Sequence, residues 1–269
     1  LYHLTTEEQA NWLEDGFLVR AGMFTPAEVE ALRDAAIAAE QAAVERSRAG
    51  KTYFLDGKRF VDEGYLTVQF EHHDPATDLV RVIEPVHELH NRFDELIDDP
   101  RLVAPMQDIL QQSSLALWTA KLNLKPGKVG SGFGWHQDSP YWVHDSDHVD
   151  LLPNVMLTFD DATLENGCFQ VIRGSHREGC LPGTADGTQL GGFFTDPTRF
   201  DEADAVPMVV PAGSLIFFSA HSVHGSGVNR TDQPRRAIIL TYQPGGFPAL
   251  KSGQIRPVRC TAQSGDGHA

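Results

Sequence analysis

The chain has 269 residues, enough to bury a sizeable core, and a single β-rich catalytic unit is the expected organisation. Its 22 Lys and Arg stand against 37 Asp and Glu, a formal charge of −15, which argues against a nucleic-acid backbone or an anionic membrane as the main partner and favours a small-molecule substrate. Cys168, Cys180 and Cys260 are scattered and lack a CxxC spacing, so neither a disulfide framework nor a structural zinc site is expected, and the protein is read as cytoplasmic, in a reducing compartment. No apolar run approaches a membrane span, and the opening LYHLTTEEQA is polar and acidic, unlike a signal peptide.

In chain order, residues 1–112 read as largely helical support. Thr5 with Glu8 forms a capping-box pattern, and Thr25-Pro26-Ala27-Glu28 forms a stronger one because Pro26 takes the first helical position. Val29, Leu32, Ala36, Ala39 and Ala43 follow at helical spacing. PVHELHNRFDELIDDP reads as another helix, and Asp99-Pro100 opens a third that Pro105 is expected to kink or restart. His72-His73 reads as a surface turn.

From residue 113 to 245 the texture changes to short strand-like runs: LALWTAKLNLK, PNVMLTFDDA, CFQVIRG, PMVVPAG, SLIFFSA and AIILTYQP. Gly, Pro, Asn and Asp clusters separate them, so the fold class is mainly β with N-terminal helices, the strands forming a jelly-roll core. Residues 175–206 are too long for a tight connection and are expected to form a loop over a site.

Within the strand region, GFGWHQDSPYW sets His136 and Asp138 two apart. In an extended segment both face the same way and Gln137 the other, so two ligands converge. A third candidate follows the apolar run SLIFFSA, where His221 and His224 compete; His224 is favoured because it precedes the small residues Gly225-Ser226-Gly227. Two histidines and one carboxylate make the facial triad of non-haem Fe(II) oxygenases. Arg235 lies eleven residues after His224, across the turn-forming NRTDQP, where a hairpin returns it to the histidine. A guanidinium there suits the distal carboxylate of 2-oxoglutarate, although local pattern does not separate Arg235 from Arg236. HDSDHVD, with His144 and His148, reads as a solvated acidic loop, and Lys121 is open between a surface ion pair and 2-oxoglutarate.

The stretches WHQD, DATLENGCFQVIRGSH and HGSGVNRTDQPRRA, with EDGFLV near the N-terminus, resemble the phytanoyl-CoA dioxygenase family of Fe(II)/2-oxoglutarate oxygenases along nearly the whole chain. The resemblance implies a double-stranded β-helix of cupin-like type. It implies His136, Asp138 and His224 as iron ligands, Arg235 as the 2-oxoglutarate anchor, and Ser226 beside it. By similarity to the ectoine-hydroxylase branch, Asn123 is implied as a further 2-oxoglutarate contact and Trp142 as a substrate contact. The segment SPYWVHDSDH lacks that branch's acidic-aromatic signature, so ectoine is not the expected substrate. In related halogenases a small residue replaces the carboxylate ligand; with Asp138 present, halogenation is disfavoured.

The expected function is hydroxylation of an unactivated C–H bond of a small molecule, with Fe(II), 2-oxoglutarate and O2 consumed to give succinate and CO2, and ascorbate as reductant in vitro. Two rivals are weighed against it. A cupin-like metal-binding module has no need of Arg235, and a zinc hydrolase is disfavoured because no helical HExxH element is present.

Overall fold

The computed structural model describes residues 1–72 and 77–259. Helix α1 (Thr6–Asp15) is capped by Thr5 and Glu8 reciprocally and stops at Gly16, whose φ of 79° is left-handed. Only glycine fits there, since a Cβ would lie 2.3 Å from the His176 ring. Strand β1 (Phe17–Arg20) follows, then α2 (Pro26–Ser47) behind the Thr25/Glu28 capping box. All five residues read as its apolar stripe are buried, with Ala35 added. The small alanines let this helix lie close on the sheet.

The reading of residues 1–112 as largely helical is corrected by four strands between α2 and the next helix: β2 (Lys51–Leu55), β3 (Lys58–Glu63), β4 (Leu66–Phe70) and β5 (Val80–Glu84). The signal was present. Asp56-Gly57 has φ of 47° and 75°, the positive pair that a two-residue hairpin turn requires, and β4 alternates buried and half-buried side chains. The expected helix over PVHELHNRFDELIDDP shrinks to α3 (Asn91–Leu96). Helix α4 (Pro100–Leu110) runs through Pro105 without restarting, because Leu102, Val103, Met106 and Leu110 bury its face and outweigh one lost backbone hydrogen bond. His73 lies outside the described residues.

The runs read as strands largely form: β6 (Leu115–Lys125), β8 (Asn154–Thr158), β9 (Phe169–Ile172), β11 (Leu215–Phe218) and β13 (Arg235–Pro244). They are joined by β7 (Phe133–His136), the single-turn helix α5 (Ser139–Trp142), β10 (Ala205–Pro207) and β12 (His224–Ser226). PMVVPAG contributes only Pro207 to β10, and Val210 makes an isolated bridge to Ala162.

All pairings are antiparallel and build two sheets, one ordered β1-β11-β8-β13-β6-β5-β4-β3-β2 and one ordered β10-β9-β12-β7. This is the jelly roll of two facing sheets, its larger sheet widened by the β2–β5 strands. One face of the large sheet packs with α2, α3 and α4 in the main core. A smaller cluster, including Met156, Phe169, Val171 and Phe218, fills the space between the sheets beside the site.

Candidate active site

Strands β7 and β12 place the first two candidate ligands opposite each other. His136 pairs directly with His224, and the ring centroids are 4.2 Å apart. The alternation expected around Gln137 holds. Its amide turns away, donating to the carbonyls of Gly179 and His221 and accepting from the Leu181 N–H, while Asp138 points inward. Ligand atoms of His136, Asp138 and His224 all lie within 4.8 Å of one another, and no other such cluster occurs among the described residues.

The surroundings prepare these groups for a metal. Nδ1 of His136 is 2.7 Å from the Gly134 carbonyl, and Nδ1 of His224 is 2.9 Å from the Ser222 carbonyl. A carbonyl only accepts, so each Nδ1 carries the proton and each Nε2 offers its lone pair to the centre. Burial, reinforced by His224, pushes His136 down to about 3, and burial likewise lowers His224, so both imidazoles are neutral. For Asp138, burial favours the neutral acid. The Lys121 ammonium 4.0 Å away and a 2.9 Å hydrogen bond from Asn154 outweigh it and hold the carboxyl below its ordinary value. Two neutral nitrogens and one carboxylate on one face, with the other side open to a cavity, suit iron(II) with free coordination positions.

His221 goes elsewhere. Its Nδ1 meets Ser139 Oγ at 2.9 Å and its Nε2 meets Asp150 at 2.7 Å, which removes it from the ligand contest. The structure also separates the two arginines. Arg236 forms a fork with Asp160, Nε and Nη2 each at 2.9 Å. Arg235, one residue before, faces the cavity, is 5% exposed, and its Nε has no hydrogen-bond partner among the described residues. Burial pushes its guanidinium down to about 10, still charged at neutral pH. A buried cation with an idle donor fits the far carboxylate of 2-oxoglutarate.

Ser226 and Asn123 line the same cavity. Lys125, paired in register with Arg235 and almost wholly buried, donates from Nζ to Ser226 Oγ at 2.9 Å, which leaves the Ser226 hydroxyl hydrogen free. Sequence reasoning missed Lys125, although its place at the end of an apolar strand is a signal. Burial, with Arg235 and Arg81 nearby, lowers its ammonium to about 6.

Trp142 does not reach the cavity, which corrects its reading as a substrate contact. Residues 139–142 form α5 rather than an extended run, so neighbouring side chains diverge by roughly 100° instead of alternating. Trp142 is 1% exposed and packs edge-on against Trp118 with Leu152 and Ala220. Tyr141 lines the cavity in its place, edge-on to His136 and stacked on Phe193. His148 is also more than a solvated loop residue, bonding Gln243 at 3.0 Å beneath Phe247.

The cavity holds about 490 Å³, room for a co-substrate and a small molecule together. Residues 175–206 cover it as expected, through Leu190, Phe193 and Phe194. Asp56, at the tip of the β2–β3 hairpin, accepts from the Gln189 and Leu190 N–H groups at 3.0 and 2.6 Å and ties the two covers together.

A model of the phytanoyl-CoA dioxygenase family matches residues 12–237. The chain is similar to an ectoine dioxygenase of Bordetella bronchiseptica, 27% identical over 263 residues that cover 89% of this chain and 75% of that protein. It is also similar to a methylphosphonate hydroxylase of Gimesia maris, 33% identical over 141 residues covering 52% and 48%. Among solved structures, EctD from S. alaskensis with 2-oxoglutarate and 5-hydroxyectoine superposes with a TM-score of 0.66 at 25% identity, covering 90% of this chain and 76% of that one. With the family model spanning all three residues of the His136-Asp138-His224 cluster, the chain belongs to the phytanoyl-CoA dioxygenase family.

Proposed function

We propose that this protein hydroxylates an unactivated C–H bond of a small molecule as a non-haem iron, 2-oxoglutarate-dependent dioxygenase. The observation that carries the reading is the pairing of one His-Asp-His centre, two neutral imidazoles and a carboxylate, with one buried, unpartnered Arg235 in the same cavity. A metal-binding module or a zinc hydrolase accounts for the first and leaves the second without a purpose. Keeping a guanidinium buried and unpaired is costly unless a ligand completes it.

Iron(II) at the triad supplies the oxidation: O2 converts 2-oxoglutarate to succinate and CO2, and the substrate C–H becomes an alcohol. The chain's own residues bind and exclude. His136, Asp138 and His224 hold the metal. Arg235 neutralises the distal carboxylate of 2-oxoglutarate, Ser226 donates to it, and Asn123 is a further contact of the co-substrate. Tyr141, Phe193 and Phe194 exclude water from the reacting face. Ascorbate serves as reductant in vitro. The family and its solved relatives support this assignment, and the segment after Asp138 sets the substrate apart from ectoine.

The test is stoichiometric. With iron(II), 2-oxoglutarate and O2, succinate forms, and Asp138→Ala abolishes it. Succinate formation by metal-free protein, or undiminished formation by Asp138→Ala, overturns the assignment.

A further inference from the structure

Among the described residues Lys58, Arg81, Lys121, Arg235 and Lys251 face the cavity against Glu84 and Asp138. The cavity is therefore rich in positive charge inside a chain whose formal charge is −15. On the functional reading above, iron(II) and the 2-oxoglutarate dianion cancel and leave that excess in place. Some of it is accounted for: Lys121 stands 4.0 Å from Asp138, Lys251 donates to Thr67 at 3.0 Å, and Arg235 serves the co-substrate.

Arg81 is accounted for only in part. Gln69 pairs with Val82 and Phe70 with Val80, so Arg81 sits in a β-bulge with no residue opposite, a device that re-aims a side chain. Its guanidinium lies 3.8 Å over the Phe133 ring and donates from Nη2 to the Gly132 carbonyl at 2.7 Å. Nε and Nη1 have no hydrogen-bond partner among the described residues, although Arg81 is 6% exposed. Glu71 is 3.6 Å from Nη1, but it already accepts from the Ser131 N–H at 3.1 Å and hydroxyl at 2.6 Å. Lys58 approaches the same place, its Nζ 3.4 Å from Ser131 Oγ and held to no carboxylate by a hydrogen bond. Among the described residues two cations thus converge around the single charge of Glu71. Tyr141 lines the same cavity as Arg81, and its ring stands edge-on to His136.

We propose that Arg81 and Lys58 form an oxyanion subsite, and that the substrate carries a carboxylate or phosphonate which docks there while its C–H bond faces the His-Asp-His centre. The Arg81 guanidinium, fixed by Phe133 and Gly132, keeps idle donors at Nε and Nη1 on two different edges, so it offers such a group single charge-assisted hydrogen bonds, and Lys58 adds a second positive charge. The subsite rests on the functional reading for its role, and its chemistry is separately measurable.

The full chain, loaded anaerobically with iron(II) and 2-oxoglutarate, is titrated calorimetrically with butyrate, methylphosphonate and neutral butyramide. At least one anion binds at least tenfold tighter than butyramide, and whichever binds tighter identifies the group. Arg81→Ala weakens that anion at least tenfold and Arg81→Lys less, while 2-oxoglutarate affinity stays within twofold. Equal binding of butyramide, or no saturable anion binding, overturns the proposal. So does a loss of 2-oxoglutarate in Arg81→Ala as large as in Arg235→Ala, which would assign Arg81 to the co-substrate. If Arg81→Ala does not fold, Lys58→Glu at its half-buried position decides: at least a tenfold loss supports the subsite, and unchanged affinity overturns it. Failure of the wild type to take up 2-oxoglutarate strikes the functional reading instead, and the anion titration of the iron-loaded chain still judges the subsite.

Discussion

Replacing Arg235 with alanine separates a binding role from a structural one. The guanidinium is 5% exposed, its Nε has no partner among the described residues, and burial takes it from 12.5 down to about 10. A shift of that size corresponds to about 3 kcal/mol of unfavourable charge burial at neutral pH. Truncation removes that burden and also two buried methylenes, worth about 1.6 kcal/mol. The two offset each other to within about 1–2 kcal/mol, so the metal-free protein should not be destabilised. Binding behaves differently. Losing a charge-assisted pair in a desolvated pocket costs roughly 2–5 kcal/mol, which corresponds to about 30-fold to several thousand-fold in the 2-oxoglutarate Kd. Arg236→Ala is the control. It strips Asp160 of its fork and should lower Tm modestly while leaving that Kd within a few-fold. Calorimetric titration of 2-oxoglutarate and thermal melts of both variants decide the matter. A larger binding loss in Arg236→Ala, or a destabilised Arg235→Ala that binds normally, would refute the argument.

Three further outcomes are expected. His136 has a folded-state value of about 3 against 6.5 unfolded, so the unfolded chain binds the proton first, and stability is lost as pH falls through that window. Urea unfolding of metal-free protein should show this decline starting below about pH 6.5, with His136→Gln flattening it; an unchanged slope in the variant would count against a neutral, half-buried His136. His224→Ala should abolish iron binding by metal analysis and His221→Ala should not, and the reverse pattern would put the strand register in error. Trp142→Ala should cost about 3–5 kcal/mol of stability in denaturant titration, whereas Tyr141→Ala should leave stability nearly intact and impair turnover; a stable Trp142→Ala with poor substrate affinity would restore the indole to the pocket.

The triad was legible in the sequence because a two-residue period is enough to aim His136 and Asp138 together, and because the run before His224 announces a buried strand. The long apolar runs that became β6, β11 and β13 were legible for the same reason: burial on both faces leaves a continuous signature. The helical caps at Thr5 and Thr25 are equally local, each needing only four residues to satisfy the first N–H groups.

What required the tertiary structure was every choice between neighbours that share a local pattern. Arg235 and Arg236 are adjacent and chemically identical, and only the position of Asp160 across the sheet withdraws one of them. Trp142 was implied at the site by resemblance alone, and a single helical turn after Asp138 places the indole in the core and Tyr141 at the cavity. Arg81 had no sequence signal, since a bulge is a mismatch in length between two paired strands and exists in neither strand alone. Backbone period and capping are properties of short segments, so sequence determines them. Which charge finds a partner depends on residues that are distant along the chain, and that was decided by the fold.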